Sequence, residues 1–169
     1  MKLAVVYHSK SGNTRQMAEA IVRGMNSVEG VQAKAFSIDA VEEQWMLESK
    51  CIIAGSPIYL ASVSGEMKTW LEGPCKKYKL AGKIGGAFAT ADYIHGGGEL
   101  GIRTILDHMM VLGMLTFSGG GSFGKPVIHL GPVAIGGHLE KSEETFEIYG
   151  KRMAMKTVEL FGDHTEGVK

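Results

Sequence analysis

The segment KLAVVYHSKSGNT, residues 2–14, is the stretch that best predicts the fold. It begins with a short apolar run, typical of a strand buried in a sheet, and ends in hydroxyl side chains around one glycine. A helical pattern follows at once, with Met17, Ile21 and Met25 recurring every fourth residue. A strand that passes into a helix through a short polar loop is the repeating unit of parallel α/β folds.

The same alternation of strands and helices continues along the chain. The predicted strands are residues 2–7, 31–38, 51–54, 84–90 and 114–117, with 127–130 as a candidate continuation of the fifth strand. The predicted helices cover about 13–28, a weak segment at 39–47, the region of Met67 to Leu71, 98–112 and a last helix from Ser142. This order predicts one α/β domain over residues 1–169, with a doubly wound, five-stranded parallel sheet that has helices on both faces.

The composition argues against nucleic-acid and membrane partners and against a disulfide-rich protein. Lys plus Arg equal Asp plus Glu at 18 each, so the net charge favours neither nucleic acid nor an anionic membrane surface. No apolar run approaches the roughly 18 residues of a membrane span, and the chain opens into a strand rather than a signal peptide. Cys51 and Cys75 form no disulfide framework; Cys51 is expected in a buried strand and Cys75 in a surface connection. We therefore expect a cytoplasmic protein.

The histidines do not predict a metal site. They show no paired ligand spacing at His8, His108, His129, His138 and His164. We expect no bound metal.

Three loops follow predicted strands one, three and four, and ligands of open parallel sheets bind at that carboxyl edge. In the first loop, hydroxyls and backbone amides at a helix N-terminus predict a phosphate site formed by Ser9, Ser11, Gly12, Asn13 and Thr14. The patterns G-x-x-x-x-G-K-[ST] and G-x-G-x-x-G are absent, which excludes a Walker-type site and the usual dinucleotide turn. The alternative is an ordinary strand-to-helix turn with a Ser/Thr cap.

The other two loops combine apolar, aromatic and glycine residues. GSPIYLASVSGEMKTWLE, residues 55–72, places Ile58, Tyr59 and Leu60 in a loop, which predicts a wall for a flat aromatic ligand. The alternative is that Tyr59 and Leu60 fold back onto the core. ATADYIHGGGE, residues 89–99, adds an aromatic residue, a histidine and glycines that allow close backbone approach. A phosphate at the first loop and a flat ring between the other two describe flavin mononucleotide (FMN).

The motifs also resemble a known family. SKSGNT at 9–14 resembles the flavodoxin phosphate loop, [ST]-x-[ST]-G-x-T. The second loop, HGGGE at 95–99 and the segment ending in YGKRMA at 149–154 are similar to WrbA-type, FMN-dependent NAD(P)H:quinone oxidoreductases and to flavodoxin-like NADPH-dependent FMN reductases.

The resemblance implies a role for each matching position. The residues implied to border the isoalloxazine are Pro57, Ile58, Tyr59, Leu60, Ala61 and Ser62, and those implied to cover its other polar edge are Thr90, Ala91, Asp92 and Tyr93. Gly96 and Gly97 would allow close approach, and His95 would act as the catalytic residue near the pyrimidine side. The resemblance also implies NAD(P)H as donor, a quinone or similar acceptor, and a homo-oligomer.

Three functions remain open at this point. We expect an NAD(P)H-dependent flavin or quinone reductase, because one-electron carrier flavodoxins tend to be acidic and this chain has no net charge. The alternatives are such a one-electron carrier and a flavodoxin-like module that binds a protein partner without using flavin.

Overall fold

A computed structural model describes residues 1–162 and shows a seven-stranded sheet between two layers of helices. The strands are β1 (Lys2–Tyr7), β2 (Gln32–Ser37), β3 (Cys51–Tyr59), β4 (Ser62–Val63), β5 (Ile84–Ala91), β6 (Leu115–Thr116) and β7 (Val133–Ile135). The helices are α1 (Asn13–Asn26), α2 (Glu43–Glu48), α3 (Gly65–Glu72), α4 (Gly98–Val111) and α5 (Glu143–Phe161). Residues 163–169, and with them His164, lie outside the described part of the chain.

The sheet has the strand order β2-β1-β3-β5-β6, and these neighbours are parallel. β4 pairs antiparallel with the end of β3, and β7 pairs parallel with the end of β5. The predicted fold class is confirmed. The sheet has seven strands rather than five because β3 continues into a hairpin with β4 and because the last edge position is shared by β6 and β7.

That edge position is split by an inserted segment, residues 117–132. β6 pairs with Ile84 and Gly85 at the start of β5, whereas β7 pairs with residues 89–91 at its end. The candidate continuation at 127–130 is therefore wrong. Between the two half-strands, the backbone N–H of Ala87 donates instead to the buried hydroxyl of Tyr149, at 3.1 Å. A side chain of α5 thus replaces a missing bond of the sheet.

A buried arginine of the same helix holds the inserted segment. The Arg152 guanidinium donates to the backbone carbonyls of Pro126 at 2.8 Å, Phe123 at 3.0 Å and Gly124 at 3.1 Å. Within residues 1–162 no carboxylate pairs with Arg152. The three carbonyl dipoles therefore offset the cost of burying the positive charge of Arg152.

The apolar core forms one cluster on each face of the sheet. One cluster joins α1 and α5 through Met17, Ile21, Phe146 and Met153. The other joins α3 and α4 and includes the residues Met67, Trp70, Leu71, Ile102, Ile105 and Met109. The helical repeats of the sequence predicted these faces because each repeat turns one apolar stripe toward the sheet.

Both cysteines are fully buried, so the prediction that Cys75 lies in a surface connection is wrong. The Cys75 thiol donates to the carbonyl of Leu71 at 3.1 Å. Burial raises the pKa of Cys75 to about 11 and that of Cys51 to about 12. Neither thiol is ionised near neutral pH, which excludes a thiolate chemistry at these positions.

Candidate functional site

The loop of residues 8–14, called here the hydroxyl loop, connects β1 to α1 and leaves several backbone donors without a partner. Gly12 caps the helix with a φ of +95°, in the left-handed region that suits glycine. Its carbonyl accepts the N–H of Gln16 at 2.9 Å, but no acceptor within residues 1–162 meets the N–H groups of residues 11–14. Four such donors at the positive end of a helix dipole favour an anion.

The side chains of the loop add hydroxyl donors. The Ser9 Oγ accepts the N–H of Arg15 at 3.3 Å, which leaves its own proton free. The Thr14 and Thr90 hydroxyls are buried and 2.8 Å apart, so that one donates to the other and one proton remains for a ligand. The structure thus joins two predicted site residues that lie 76 positions apart in the chain. The donors present fit a phosphate.

A cavity of about 670 Å³ opens between the second and third loops. It is lined by Ile58, Tyr59, Leu60, Ala61, Ala91, Asp92, Tyr93, His95 and Gly96. Most of the predicted ring-binding residues therefore share one cavity, whereas Pro57, Ser62, Thr90 and Gly97 are not among its walls. Leu60 is fully exposed, which rules out the alternative that this residue folds back onto the core. The volume and the mixed walls fit a flat heteroaromatic ring.

The turn between β3 and β4 is strained where it borders this cavity. Leu60 and Ala61 have φ values of +49° and +61°, although the left-handed region costs an L-residue roughly 1–2 kcal/mol. A Cβ on Gly97 would lie 2.7 Å from the Cα of Ala61, so only glycine allows the two loops this close. The sequence carries no signal for the turn because hairpins of this kind usually contain Asn-Gly. Strain of this type concentrates at functional sites.

The turn after β7 is a part of the site that the sequence did not predict. The N–H of Gly136 donates to the carbonyl of Ala91 at 2.8 Å. A Cβ on Gly136 would lie 2.9 Å from the Asp92 Oδ1 and 3.6 Å from the Asn13 Nδ2. This turn therefore connects the hydroxyl loop with the loop of residues 91–96.

His8 is a second residue whose place the sequence did not reveal. It is buried at the end of β1, with its Nδ1 2.8 Å from the Ser64 Oγ and its Nε2 3.8 Å from the Glu66 Oε1. The same carboxylate lies 3.3 Å from the Lys10 Nζ. The pKa of Glu66 is lowered by a hydrogen bond from its own backbone N–H and by Lys10 and His8. This group of charges lies between the hydroxyl loop and α3.

His95 lies exposed at the cavity wall, and no hydrogen bond or ion pair is found for its ring within residues 1–162. Over the same residues, no cluster of three or more His, Cys, Asp or Glu side chains has the arrangement of a metal site. Among the helices of this described part, none has the length and apolar character needed to cross a bilayer.

The comparisons with known proteins agree with this geometry. The family model described as flavodoxin matches residues 5–89. A flavodoxin from Clostridium saccharobutylicum is 42% identical over 161 residues, which cover 95% of this chain and 100% of that protein. An NAD(P)H dehydrogenase (quinone) from Geotalea daltonii is 32% identical over 143 residues, which cover 66% of this chain and 70% of that protein.

Solved structures give the same picture. The structure of a flavodoxin from the domain Archaea superposes with a TM-score of 0.77 at 27% identity. The superposition covers 93% of this chain and 99% of that one. Flavodoxins and NAD(P)H dehydrogenases (quinone) are thus both found among its relatives, with the flavodoxins matching over the greater length.

Proposed function

This chain belongs to the flavodoxin family, and we propose that it binds FMN and works as an electron carrier. The observation that carries the proposal is the set of four N–H groups, at residues 11–14, that meet no acceptor in the described chain and lie beside a cavity of about 670 Å³. A phosphate and a flat ring joined by a short chain would occupy these two places together.

The prediction of an NAD(P)H-dependent reductase is wrong. The flavodoxin relative matches over its whole length, whereas the quinone dehydrogenase matches only 66% of this chain at lower identity. The argument from zero net charge failed because electrostatic steering depends on where charges lie on the surface and not on their sum. We therefore assign no catalytic role to His95 and no NAD(P)H site to this chain.

The carrier function assigns a task to each part of the site. The N–H groups of residues 11–14 and the hydroxyls of Ser9, Ser11 and Thr14 would hold the phosphate. The walls at residues 58–61 and 91–96 would hold the ring and keep water from its faces. FMN, when bound, supplies the redox chemistry itself.

The rim of the cavity fits exchange with a visiting partner. Leu60, Tyr93 and Ile94 are among the exposed large apolar residues, and they lie on the two loops that border the cavity. Apolar side chains held in water at the mouth of a site favour brief contact with another molecule. A homo-oligomer, a quinone-like acceptor and a single domain over residues 1–169 stay predictions.

The test is reconstitution followed by reduction without oxygen. We expect the colourless protein to bind added FMN with quenching of flavin fluorescence, and to accept electrons from dithionite in two separate one-electron steps. The reduced protein should pass these electrons to cytochrome c. NADH and NADPH alone should leave the flavin oxidised over the same period. A protein that stays colourless in excess FMN would refute the proposal.

A further inference from the structure

His8 is a buried titratable residue to which neither the phosphate site nor the cavity wall assigns a task. We propose that His8 is a positioning residue whose neutral ring fixes the β3–β4 hairpin against the hydroxyl loop. Protonation of His8 in mild acid then weakens binding of the flavin ring. The inference rests on the proposed FMN site and concerns its regulation by pH.

His8 contacts both parts that it is proposed to join. Its backbone N–H donates to the carbonyl of Gly55 in β3 at 3.2 Å, and its Nδ1 lies 2.8 Å from the Oγ of Ser64. Ser64 follows β4 directly and is fully buried. The backbone of His8 therefore bonds to β3, and its imidazole connects the start of the hydroxyl loop with the far end of the hairpin.

The hydrogen bonds around Ser64 determine where the proton of His8 lies. The Ser64 Oγ accepts the N–H of Met67 at 3.2 Å, and the Ser64 N–H donates to the Ser56 Oγ at 2.9 Å. The Ser56 hydroxyl in turn donates to the carbonyl of Pro57 at 2.7 Å. The nearest acceptor for the Ser64 proton is then the His8 Nδ1, so the neutral ring carries its proton on Nε2.

A second proton on His8 breaks this arrangement. With Nδ1 protonated, ring and hydroxyl would both point a proton into the same 2.8 Å contact, and Ser64 must turn its proton toward the Ser56 Oγ, 3.5 Å away. Ser56 already accepts the Ser64 N–H and donates to Pro57, so the disturbance reaches the residue that leads into the cavity wall. A buried network with one mismatched donor is costly.

Among residues 1–162, the charged groups that face His8 are Glu66 and Lys10, and their effects on its ring oppose each other. Glu66 of α3 lies 3.8 Å from Nε2 and favours the protonated ring, whereas Lys10 of the hydroxyl loop binds the same carboxylate and offsets it. The Glu66 and Lys10 side chains are 47% and 63% exposed, so water screens both charges. The buried hydrogen bond to Ser64 therefore decides the outcome.

Riboflavin is the probe that isolates this effect. It has the ring of FMN but lacks the phosphate, whose own second pKa near 6 would otherwise add a pH dependence. The matched variants are His8→Asn, whose amide oxygen can accept the Ser64 proton but cannot titrate, and His108→Asn, which changes a histidine whose ring bonds to the carbonyl of Thr104 within α4.

We expect the wild type to bind riboflavin severalfold more weakly at pH 5 than at pH 8. His108→Asn should show the same profile, and His8→Asn a flat one. Equal profiles in His8→Asn and the wild type, or a flat wild-type profile, would overturn the inference.

A second, independent test of the His8 proton uses NMR of the flavin-free protein. Long-range ¹H–¹⁵N spectra of the imidazole should show the His8 proton on Nε2 at pH 8 and on both nitrogens in acid. A proton on Nδ1 at pH 8 would refute the assignment even if the variants fold poorly. Failure of the wild type to bind FMN would instead refute the proposed function, because the spectra still report on His8.

Discussion

Two regions of the molecule interrupt the regular hydrogen bonding of the fold, and they resolve the interruption in opposite ways. At the split edge, the freed N–H of Ala87 and the carbonyls of the inserted segment receive partners from Tyr149 and Arg152 of α5. At the hydroxyl loop, the N–H groups of residues 11–14 receive none from the described chain. A gap that side chains fill supports the scaffold, whereas a gap left open at a helix N-terminus offers donors to a ligand.

The largest effect is expected from removing the arginine at the split edge. Arg152→Met should lower the free energy of unfolding by about 3 kcal/mol, because three carbonyls lose a charged donor. FMN affinity should stay within about twofold, since the free donors of the hydroxyl loop are untouched. Urea unfolding measures the first quantity and flavin fluorescence the second.

Arg103→Met is the matched control for that experiment. Arg103 forms an exposed pair with Asp107 one helical turn away, so its loss should cost less than about 0.5 kcal/mol. A stability loss below about 1 kcal/mol in Arg152→Met, or a tenfold loss of FMN affinity, would contradict the contrast between the two regions.

A smaller loss of stability is expected when the hydroxyl of Tyr149 is removed. Tyr149→Phe keeps the ring in the core but leaves the Ala87 N–H without an acceptor, which should lower the free energy of unfolding by about 2 kcal/mol. Amide hydrogen exchange should show faster exchange at Ala87 than in the wild type. Unchanged protection at that amide would mean that the hydroxyl does not complete the sheet.

Removal of a free hydroxyl tests the other region. Ser11 is exposed and has no side-chain partner within residues 1–162, so Ser11→Ala should leave stability within about 0.5 kcal/mol. FMN affinity should fall about tenfold, the size of a lost hydrogen bond to a charged group. Riboflavin affinity should not change, which provides the control. A parallel loss for both ligands would place Ser11 outside the phosphate site.

The smallest effect is expected at the strained turn, where a change should stabilise the protein. Leu60→Gly removes the strain of a left-handed backbone at an L-residue, roughly 1–2 kcal/mol, but adds a backbone entropy cost of about 0.5–1 kcal/mol. Thermal unfolding should therefore show a gain of about 0.5 kcal/mol. Leu100→Gly, an exposed position inside α4, should instead lose about 1 kcal/mol. Equal losses in both variants would argue against strain at Leu60.

Sequence reasoning succeeded where a local pattern decides the structure. β1 and α4 were predicted within one residue because apolar runs and helical repeats are short-range signals. The split edge was not predictable in the same way. β6 has two residues and β7 three, and each is placed by its pairing with β5 rather than by a pattern of its own.

In the site, too, the residues predicted from sequence are those with a local signal, and the residues missed depend on distant contacts. The three loops were found because each follows an apolar strand, and 58–61 and 91–96 do meet at one cavity. His8 looks like an ordinary loop residue, since its burial depends on Ser64, 56 positions away. Gly136 is likewise revealed only by the approach of Asp92 and Asn13. Bulk charge gave the wrong activity because it averages over the whole surface.

The divided border of the sheet has a consequence for engineering. β6 and β7 each carry their own register, so the chain between them does not determine how the sheet is assembled. A designer can treat residues 119–127 as a replaceable cassette, provided that it still offers carbonyls to Arg152. Phe117 and Pro132 must be kept because they bond to β5, and Ile128 because it is buried in the core. A reporter or a second redox module fused there would leave the hydroxyl loop, at the other side of the sheet, unaltered.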